Sequence, residues 1–445
     1  MKFLSLSQLS WLLFTCPTLV FGSPFTPDTP QKSHNIKRDN DTSPGSMVQL
    51  NADSDFHFEI LRALSFAPYQ GADIGEVLVA ANQIVPGDFE SFHDAFYDLA
   101  NRVHDSAQAI DSARYPVSAR NALFREAAYY RSADFFLHGN WTDPRIDSLW
   151  TQQLAAFDAA IKLLPTPGER VTLQGDGFEI PAVFYGSGLR GRRPTMLMCN
   201  GYDGAQEEMY HAVGEAVLQR GMNVITFEGP GQPTVRRQQG AGFIPEWEKV
   251  VTPVIDYALS RRDVDAHKIG LWGQSFAGYL APRAAAFDHR LAAVVAFDGL
   301  YSFAQAVFDQ FGPEVTALYE SGDEETFNGI ILSVLADPAT PTTIRWAIEQ
   351  GIWSFKSASP FEWATEVEKY TLDGIVQNIT TPVFVAAAQE EKFFAGQAQI
   401  LAEKLGDLAT YHLFESIDGA GEHCSLGASV LSNQVVLDWF QDIIS

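Results

Sequence analysis

Ser275 lies in Gly273-Gln274-Ser275-Phe276-Ala277-Gly278, a segment whose residue types suit nucleophilic chemistry. It satisfies G-x-S-x-G in a small-residue form, with Ala277 in the last position and Gly278 one step on. The apolar run KIGLW precedes it and a helical stretch beginning near Tyr279 follows, the strand-turn-helix setting of a nucleophile elbow. A serine at the apex of so sharp a turn tolerates only small neighbours. A serine hydroxyl is a weak nucleophile until a base lies within hydrogen-bond reach. His423, in Gly419-Ala420-Gly421-Glu422-His423-Cys424 after the strand-like TYHLFES, is the expected base, whereas His267 and His412 stand before and inside strand-like runs. The imidazole in turn needs a carboxylate to hold one tautomer, placed between serine and histidine in the chain, and Glu391 after PVFVAAAQ is favoured by its distance from the following Phe393-Phe394-Ala395-Gly396. Glu390 beside it and Asp298 at the end of LAAVVAFDG are the alternative acids. An oxyanion needs two backbone N–H donors, expected from Phe276 and from Tyr202 in Asn200-Gly201-Tyr202-Asp203-Gly204. Glu228-Gly229-Pro230-Gly231-Gln232 is a further loop that either lines the pocket or ends a strand. None of the ten histidines falls in H-E-x-x-H or a close His/Cys cluster, so neither a metal nor another cofactor is expected.

These residues need a sheet to bring them together. Residues 55–165 carry helical periodicity and almost no strand signal, with Phe92, Phe96, Leu99 and Val103 recurring at steps of three and four as one buried stripe. After Pro165 the pattern changes to short apolar runs: RVTLQ, IPAVFYG, PTMLMCNG, MNVITFEG, KIGLWGQS, LAAVVAFDG, PVFVAAAQ and TYHLFES. Strands alternating with helical stretches predict a mostly parallel α/β sheet over 166–445. About 301–375 is too long for one crossover and holds Trp346, Trp353, Phe355, Phe361 and Trp363, so it is expected to be a cap insertion; its aromatics, with those of the helical region, either shelter a hydrophobic substrate or serve ordinary domain packing. Gly186-Ser187-Gly188-Leu189-Arg190-Gly191 matches G-x-G-x-x-G but leads into another strand, which predicts a hairpin turn and not a dinucleotide site.

The chain has 445 residues, and its net charge of −25 disfavours nucleic acid and anionic membrane surfaces as partners. Residues 1–22 read as a secretory signal, with Lys2, an apolar Leu9-to-Phe21 core and Val20-Phe21-Gly22 before the cut. Residues 23–54 are propeptide-like, with a dibasic Lys37-Arg38 pair. A secreted chain is the expectation, with glycosylation acceptors at Asn40, Asn140 and Asn378. Cys16 leaves with the signal, and Cys199 and Cys424 are expected to be two buried thiols, with a single bridge as the alternative.

NGYDG followed by Gln-Glu-Glu, then FEGPGQ, GQSFAG, EEKFFAGQ and GAGEHC occur in this order after the helical region. Together they resemble the α/β-hydrolases that include bacterial dihydroxypseudooxynicotine hydrolase. They are more similar still to fungal polyketide-cluster hydrolases, the melanin-pathway enzymes that shorten a heptaketide and the fusarin-cluster enzymes. The resemblance spans roughly residues 55–445. It implies an α/β-hydrolase fold with a helical lid, a triad of Ser275, His423 and Glu391, and a ketone, ester or polyketide-like substrate, in secondary metabolism or a secreted degradative role. Members cleave carbon–carbon bonds of β-dicarbonyl compounds or carry out ester and lactam chemistry. Two departures stand out: the acid position usually holds Asp, and Pro233 stands where Gly usually follows FEGPGQ, which predicts an altered pocket rim. The function expected is serine hydrolysis, including retro-Claisen cleavage. The alternatives are a cyclase or acyltransferase forming a lactone or lactam, and a non-catalytic binding module, against which a complete triad argues. The expected partner is a hydrophobic small molecule, with monomer and homodimer both open.

Overall fold

The computed structural model describes residues 47–445, so the signal over 1–22, most of the 23–54 segment, Lys37-Arg38 and Asn40 lie outside the described residues. Five helices lead: α1 (Ser54–Ser65), α2 (Ile74–Ala81), α3 (Phe89–Gln108), α4 (Pro116–Asp134) and α5 (Arg145–Ile161). Asp53, Asp73 and Asp88 start the first three, each accepting first-turn N–H groups that the helix cannot satisfy itself. The stripe Phe92, Phe96, Leu99 and Val103 is buried. Phe92 packs on Phe56 at 5.2 Å and on Phe136 at 4.8 Å between ring centroids, so α3 is held against α1 and the end of α4. Removing such a ring costs about 3–5 kcal/mol.

The eight apolar runs form one sheet: β1 (Glu169–Gln174), β2 (Glu179–Tyr185), β3 (Arg193–Cys199), β4 (Asn223–Phe227), β5 (Val264–Gln274), β6 (Ala293–Phe297), β7 (Val383–Ala388) and β8 (Ala409–Phe414). Their order is β1-β2-β4-β3-β5-β6-β7-β8. The pairs β1–β2 and β2–β4 are antiparallel and the rest parallel. Every residue of β4, β6 and β7 is buried, because helices cover both faces and unbroken apolar runs suit that position. The 186–191 segment is not a hairpin turn. β4 lies between β2 and β3, so the segment carries the chain over a neighbouring strand, with Gly188 and Gly191 at positive φ.

The sheet-covering helices are α6 (Gln206–Met209), a π turn over Tyr210–Gly214, α7 (Glu215–Gln219), α8 (Pro233–Gln239), α9 (Glu248–Ser260) and α10 (Ala277–Ala285). Between β6 and β7 the cap comprises α11 (Phe303–Ser321), α12 (Glu324–Ala336), α13 (Thr342–Phe355) and α14 (Pro360–Val367). A bridge between Ser302 and Thr371, with Leu372 N–H donating to Tyr301 O at 2.9 Å, ties the two chains of its neck. α15 (Gln397–Leu405) and α16 (Ser429–Ile443) complete the fold. No helix among the described residues is long and apolar enough to cross a membrane.

Candidate active site

Parallel pairing aligns the carboxyl ends of the strands. Cys199 of β3 pairs with Gly273 of β5, which pairs with Ala296 of β6, so Asn200-Gly201-Tyr202, Ser275 and Asp298 leave the sheet at one edge. Glu391 follows the end of β7 in the same way. This edge is where open α/β sheets bind ligands.

Ser275 sits at φ +58°, a left-handed conformation that costs a residue with a Cβ. The turn is held by Ser275 N–H donating to Phe297 O at 3.0 Å and Gly278 N–H to Ser275 O at 2.6 Å. A Cβ on Gly273 would enter the Ala277 carbonyl, one on Gly278 the Asp298 carbonyl, and one on Gly201 would stand 2.7 Å from Phe276 N. The small residues of the motif are therefore a steric requirement. α10 begins at Ala277, two residues before the point that the sequence pattern indicates.

His423 Nε2 lies 2.8 Å from Ser275 Oγ. On the far side of the ring, Nδ1 lies 2.6 Å from Glu391 Oε2 and 2.9 Å from Asp298 Oδ2. The structure therefore brings two of the three candidate acids to one nitrogen. Glu390 is not among them; its carboxylate accepts from Ser416 Oγ at 2.9 Å, facing away. Glu391 Oε1 accepts from the N–H groups of Phe393 and Phe394 at 2.8 and 3.0 Å, and Asp298 accepts from Cys424 N–H. Phe393 and Phe394 wall the imidazole at 4.9 and 5.4 Å between centroids.

Burial opposes charge throughout the cluster, and local partners decide the outcome. Against burial, the His423 charge and the two N–H donors hold Glu391 below the usual carboxylate range. Burial raises Asp298, with the neighbouring Glu391 charge adding to it. His423 is raised well above an ordinary histidine, because Cys424, Glu391 and Asp298 outweigh its burial. Cys199 and Cys424 are free, buried thiols, each pushed by burial to about 12. Asp298, His423 and Cys424 cluster closely enough to suggest a metal site. Their donor atoms are already engaged: Glu391 and Ser275 hold the two ring nitrogens, and Asp298 accepts from Cys424 N–H.

Asn200 Oδ1 accepts from Gly201 N–H at 2.9 Å and its amide donates to Ala205 O at 3.2 Å, closing the turn that carries Tyr202. Neither Tyr202 N–H nor Phe276 N–H has an acceptor among the described residues. The Tyr202 hydroxyl donates to Ala347 O of the cap at 2.9 Å. The Glu228–Gln232 loop is buried behind this turn and does not line the cavity. Glu228 accepts from the N–H groups of Gln206 and Thr234, and the Gln232 amide donates to Asn200 O. Pro233 opens α8 in the same buried layer, so it does not alter the rim as its departure from the family pattern suggests.

Over Ser275 lies a cavity of about 1170 Å³, its open mouth included. α1 contributes Phe58 and Phe66, and the cap contributes Phe303, Trp346 and Trp363. Trp353, Phe355 and Phe361 do not reach it: Trp353 stacks on His138 at 3.9 Å, Phe355 packs on Tyr370, and Phe361 on Tyr319. Arg62 of α1 and Arg131 of α4 pair with Asp203 and Glu208 beside the Tyr202 turn, at 2.6 Å for Arg62–Asp203 and 2.8 Å for Arg131–Glu208. The helical domain is thus clamped onto the sheet edge by buried ion pairs. Asp203 and Glu208 fall within NGYDG and the Gln-Glu-Glu that follows it, whereas no motif marks Arg62 or Arg131; only the four-residue spacing of Phe58, Arg62 and Phe66 on one helix face hints at Arg62. Asn140 and Asn378 are both exposed.

No family model matches the chain. Hydrolyase poxO of Penicillium oxalicum is 31% identical over 363 residues, spanning 78% of this chain and 85% of poxO. The 20-hydroxy-prefusarin hydrolase FUS2 of Gibberella moniliformis is 28% identical over 413 residues, spanning 88% of this chain and 97% of FUS2. In fold, 2,6-dihydroxy-pseudo-oxynicotine hydrolase is similar with a TM-score of 0.67, covering 86% of this chain and 95% of that one at 20% identity. A mostly parallel sheet with the serine turn after its fifth strand, and sequence likeness running through helical domain, sheet and cap alike, place this chain in the α/β-hydrolase family that includes these fungal hydrolases.

Proposed function

We propose that the chain is a serine hydrolase of secondary metabolism whose nucleophile is Ser275. The observation that carries this reading is the unbroken line from Glu391 through His423 to Ser275, at 2.6 and 2.8 Å. His423 takes the hydroxyl proton as Ser275 Oγ attacks a carbonyl carbon, and Glu391 steadies the imidazolium. The N–H groups of Phe276 and Tyr202 receive the developing oxyanion, each such donor being worth about 3 kcal/mol of barrier. Collapse breaks the bond to the leaving group, which takes the proton back from His423, and water then hydrolyses the acyl-enzyme. With an ester the leaving group is an alkoxide. With a 1,3-dicarbonyl compound it is an enolate, and the bond broken is carbon–carbon.

An apolar cavity with aromatic walls supports a ketone, ester or polyketide-like substrate, as do the prefusarin and pseudo-oxynicotine compounds named for the two relatives. Enclosure by both α1 and the cap favours a second reading, a cyclase in which a hydroxyl or amine of the substrate displaces water. The N-terminal apolar segment and the exposed Asn140 and Asn378 support secretion and glycosylation. The test is intact mass after exposure to a fluorophosphonate. Wild type gains one adduct and Ser275→Ala none; a folded wild type that resists this probe and a smaller organophosphate removes the support for the triad.

A further inference from the structure

The cavity has a polar pole besides Ser275 and His423. Helix α1 turns Phe58, Glu59, Arg62 and Phe66 toward it, at the three- and four-residue steps that share a helix face. Arg62 bonds Asp203 at 2.6 Å and Glu208 at 3.0 Å, while Arg131 behind it bonds Glu208 at 2.8 Å and Asp203 at 3.3 Å. Glu208 also accepts from Ala205 N–H. Two guanidiniums and two carboxylates are thereby spent on one another. Glu59 is different: only 5% exposed, it reaches no closer than 3.5 Å to Arg62 Nη1.

Among the carboxyl, carboxamide and guanidinium groups of the cavity wall, Glu59 alone makes no hydrogen bond to the described residues. Asn200 closes its own turn, Gln274 accepts from the Trp272 indole, and Gln310 donates to Phe393 O. A buried polar group without a partner costs free energy that a ligand can return. The chemistry of that ligand follows from the charges. Glu59 would be the third carboxylate against two guanidiniums, so a substrate carboxylate is repelled there. Burial raises the Glu59 carboxyl to about 8, against the pull of Arg62 and Arg131, so it is a neutral acid able to donate through O–H and accept through C=O.

We infer that Glu59 is a substrate-binding residue that hydrogen-bonds an uncharged oxygen, a hydroxyl or a keto group, carried by an otherwise apolar substrate. This specificity rests on the cavity over Ser275 being the substrate site, and it deepens the hydrolase reading by stating what the substrate bears besides its reacting carbonyl.

The test is isothermal titration of the full chain carrying Ser275→Ala, so that binding is read without acylation. Three probes of equal length are compared: 1-octanol, octanoate and octylammonium. Octanol is expected to bind about tenfold more tightly than either ion. Adding Glu59→Gln, which keeps a donor and an acceptor, leaves that preference within about threefold, and adding Glu59→Leu abolishes it. Tighter binding of octylammonium, lost in Glu59→Gln, would overturn the inference in favour of a cation site. An unchanged octanol affinity in a folded Glu59→Leu protein, or no binding of any probe, would overturn it outright. If Glu59→Leu does not fold, the ranking of the probes and its response to Glu59→Gln decide. Fluorophosphonate labelling of Ser275 stands apart from all of these, so the two readings fail separately.

Discussion

The Gln350 side-chain amide, on cap helix α13, donates to the main-chain carbonyl of Tyr202 at 2.9 Å, and its oxygen meets His138 Nδ1 at 2.6 Å. Both side chains are buried. One carboxamide therefore joins the helical domain, the cap and the turn proposed to hold the oxyanion. Gln350→Ala leaves the Tyr202 carbonyl and His138 Nδ1 without the Gln350 partner, at about 1–3 kcal/mol of stability. It is expected to lower kcat about 10–100-fold with a much smaller change in KM, because a misplaced donor is felt chiefly in the transition state. Equal loss in kcat and in thermal stability of the whole population would mark Gln350 as structural only.

The two carboxylates on His423 Nδ1 are expected to differ in weight. Glu391→Gln removes the partner held below the usual carboxylate range and should reduce kcat about 10³–10⁴-fold. Asp298→Asn removes a group that burial already biases toward its neutral form, and a loss of about tenfold is expected. Glu390→Gln should stay within about twofold of wild type, since that carboxylate binds Ser416. Steady-state kinetics on one activated ester compares all three, and a larger loss in Asp298→Asn than in Glu391→Gln would reverse the assignment.

Stability should be greatest in mild acid. Although burial alone would raise it, Arg237 and His138 hold Asp134 at about 2, below its usual 3.8. That pairing contributes about 2 kcal/mol above the unfolded value, lost as pH falls through the folded one. Burial raises Asp55 to about 7 and Glu59 to about 8, and burial with Glu207 raises Glu228 to about 7. Their contribution has the opposite sign: it is complete below the unfolded carboxylate value and lost as pH rises through the folded ones. Calorimetry should show Tm highest at about pH 4–5 and falling toward about pH 8. Glu59→Gln, which cannot ionise, should lose less of its Tm over that rise.

Gly201→Ala is expected to damage activity more than folding. Its Cβ would lie 2.7 Å from Phe276 N and 2.9 Å from Ser275 Cβ, so the Tyr202 turn must move away from Ser275. A shift of about 1 Å there costs about 100-fold in rate. Near-normal kcat/KM in this variant would show that the turn does not approach the reacting atoms.

Local patterning was enough for much of this. The strands are legible because a strand buried on both faces must be an unbroken apolar run, and the α3 stripe because a helix buries one side at steps of three and four. Ser275 and His423 are legible because an elbow and a glycine-rich loop have local steric requirements that restrict residue type. Neighbouring composition cannot choose among Asp298, Glu390 and Glu391, since all three are acids at strand ends. The choice rests on which way each carboxylate turns after its strand, and Glu390 turns to Ser416. Likewise nothing near Gln350 points to Tyr202, and nothing near Arg62 points to Asp203 and Glu208. These contacts join residues more than a hundred positions apart, and only the packing of cap and helical domain on the sheet edge brings them within reach.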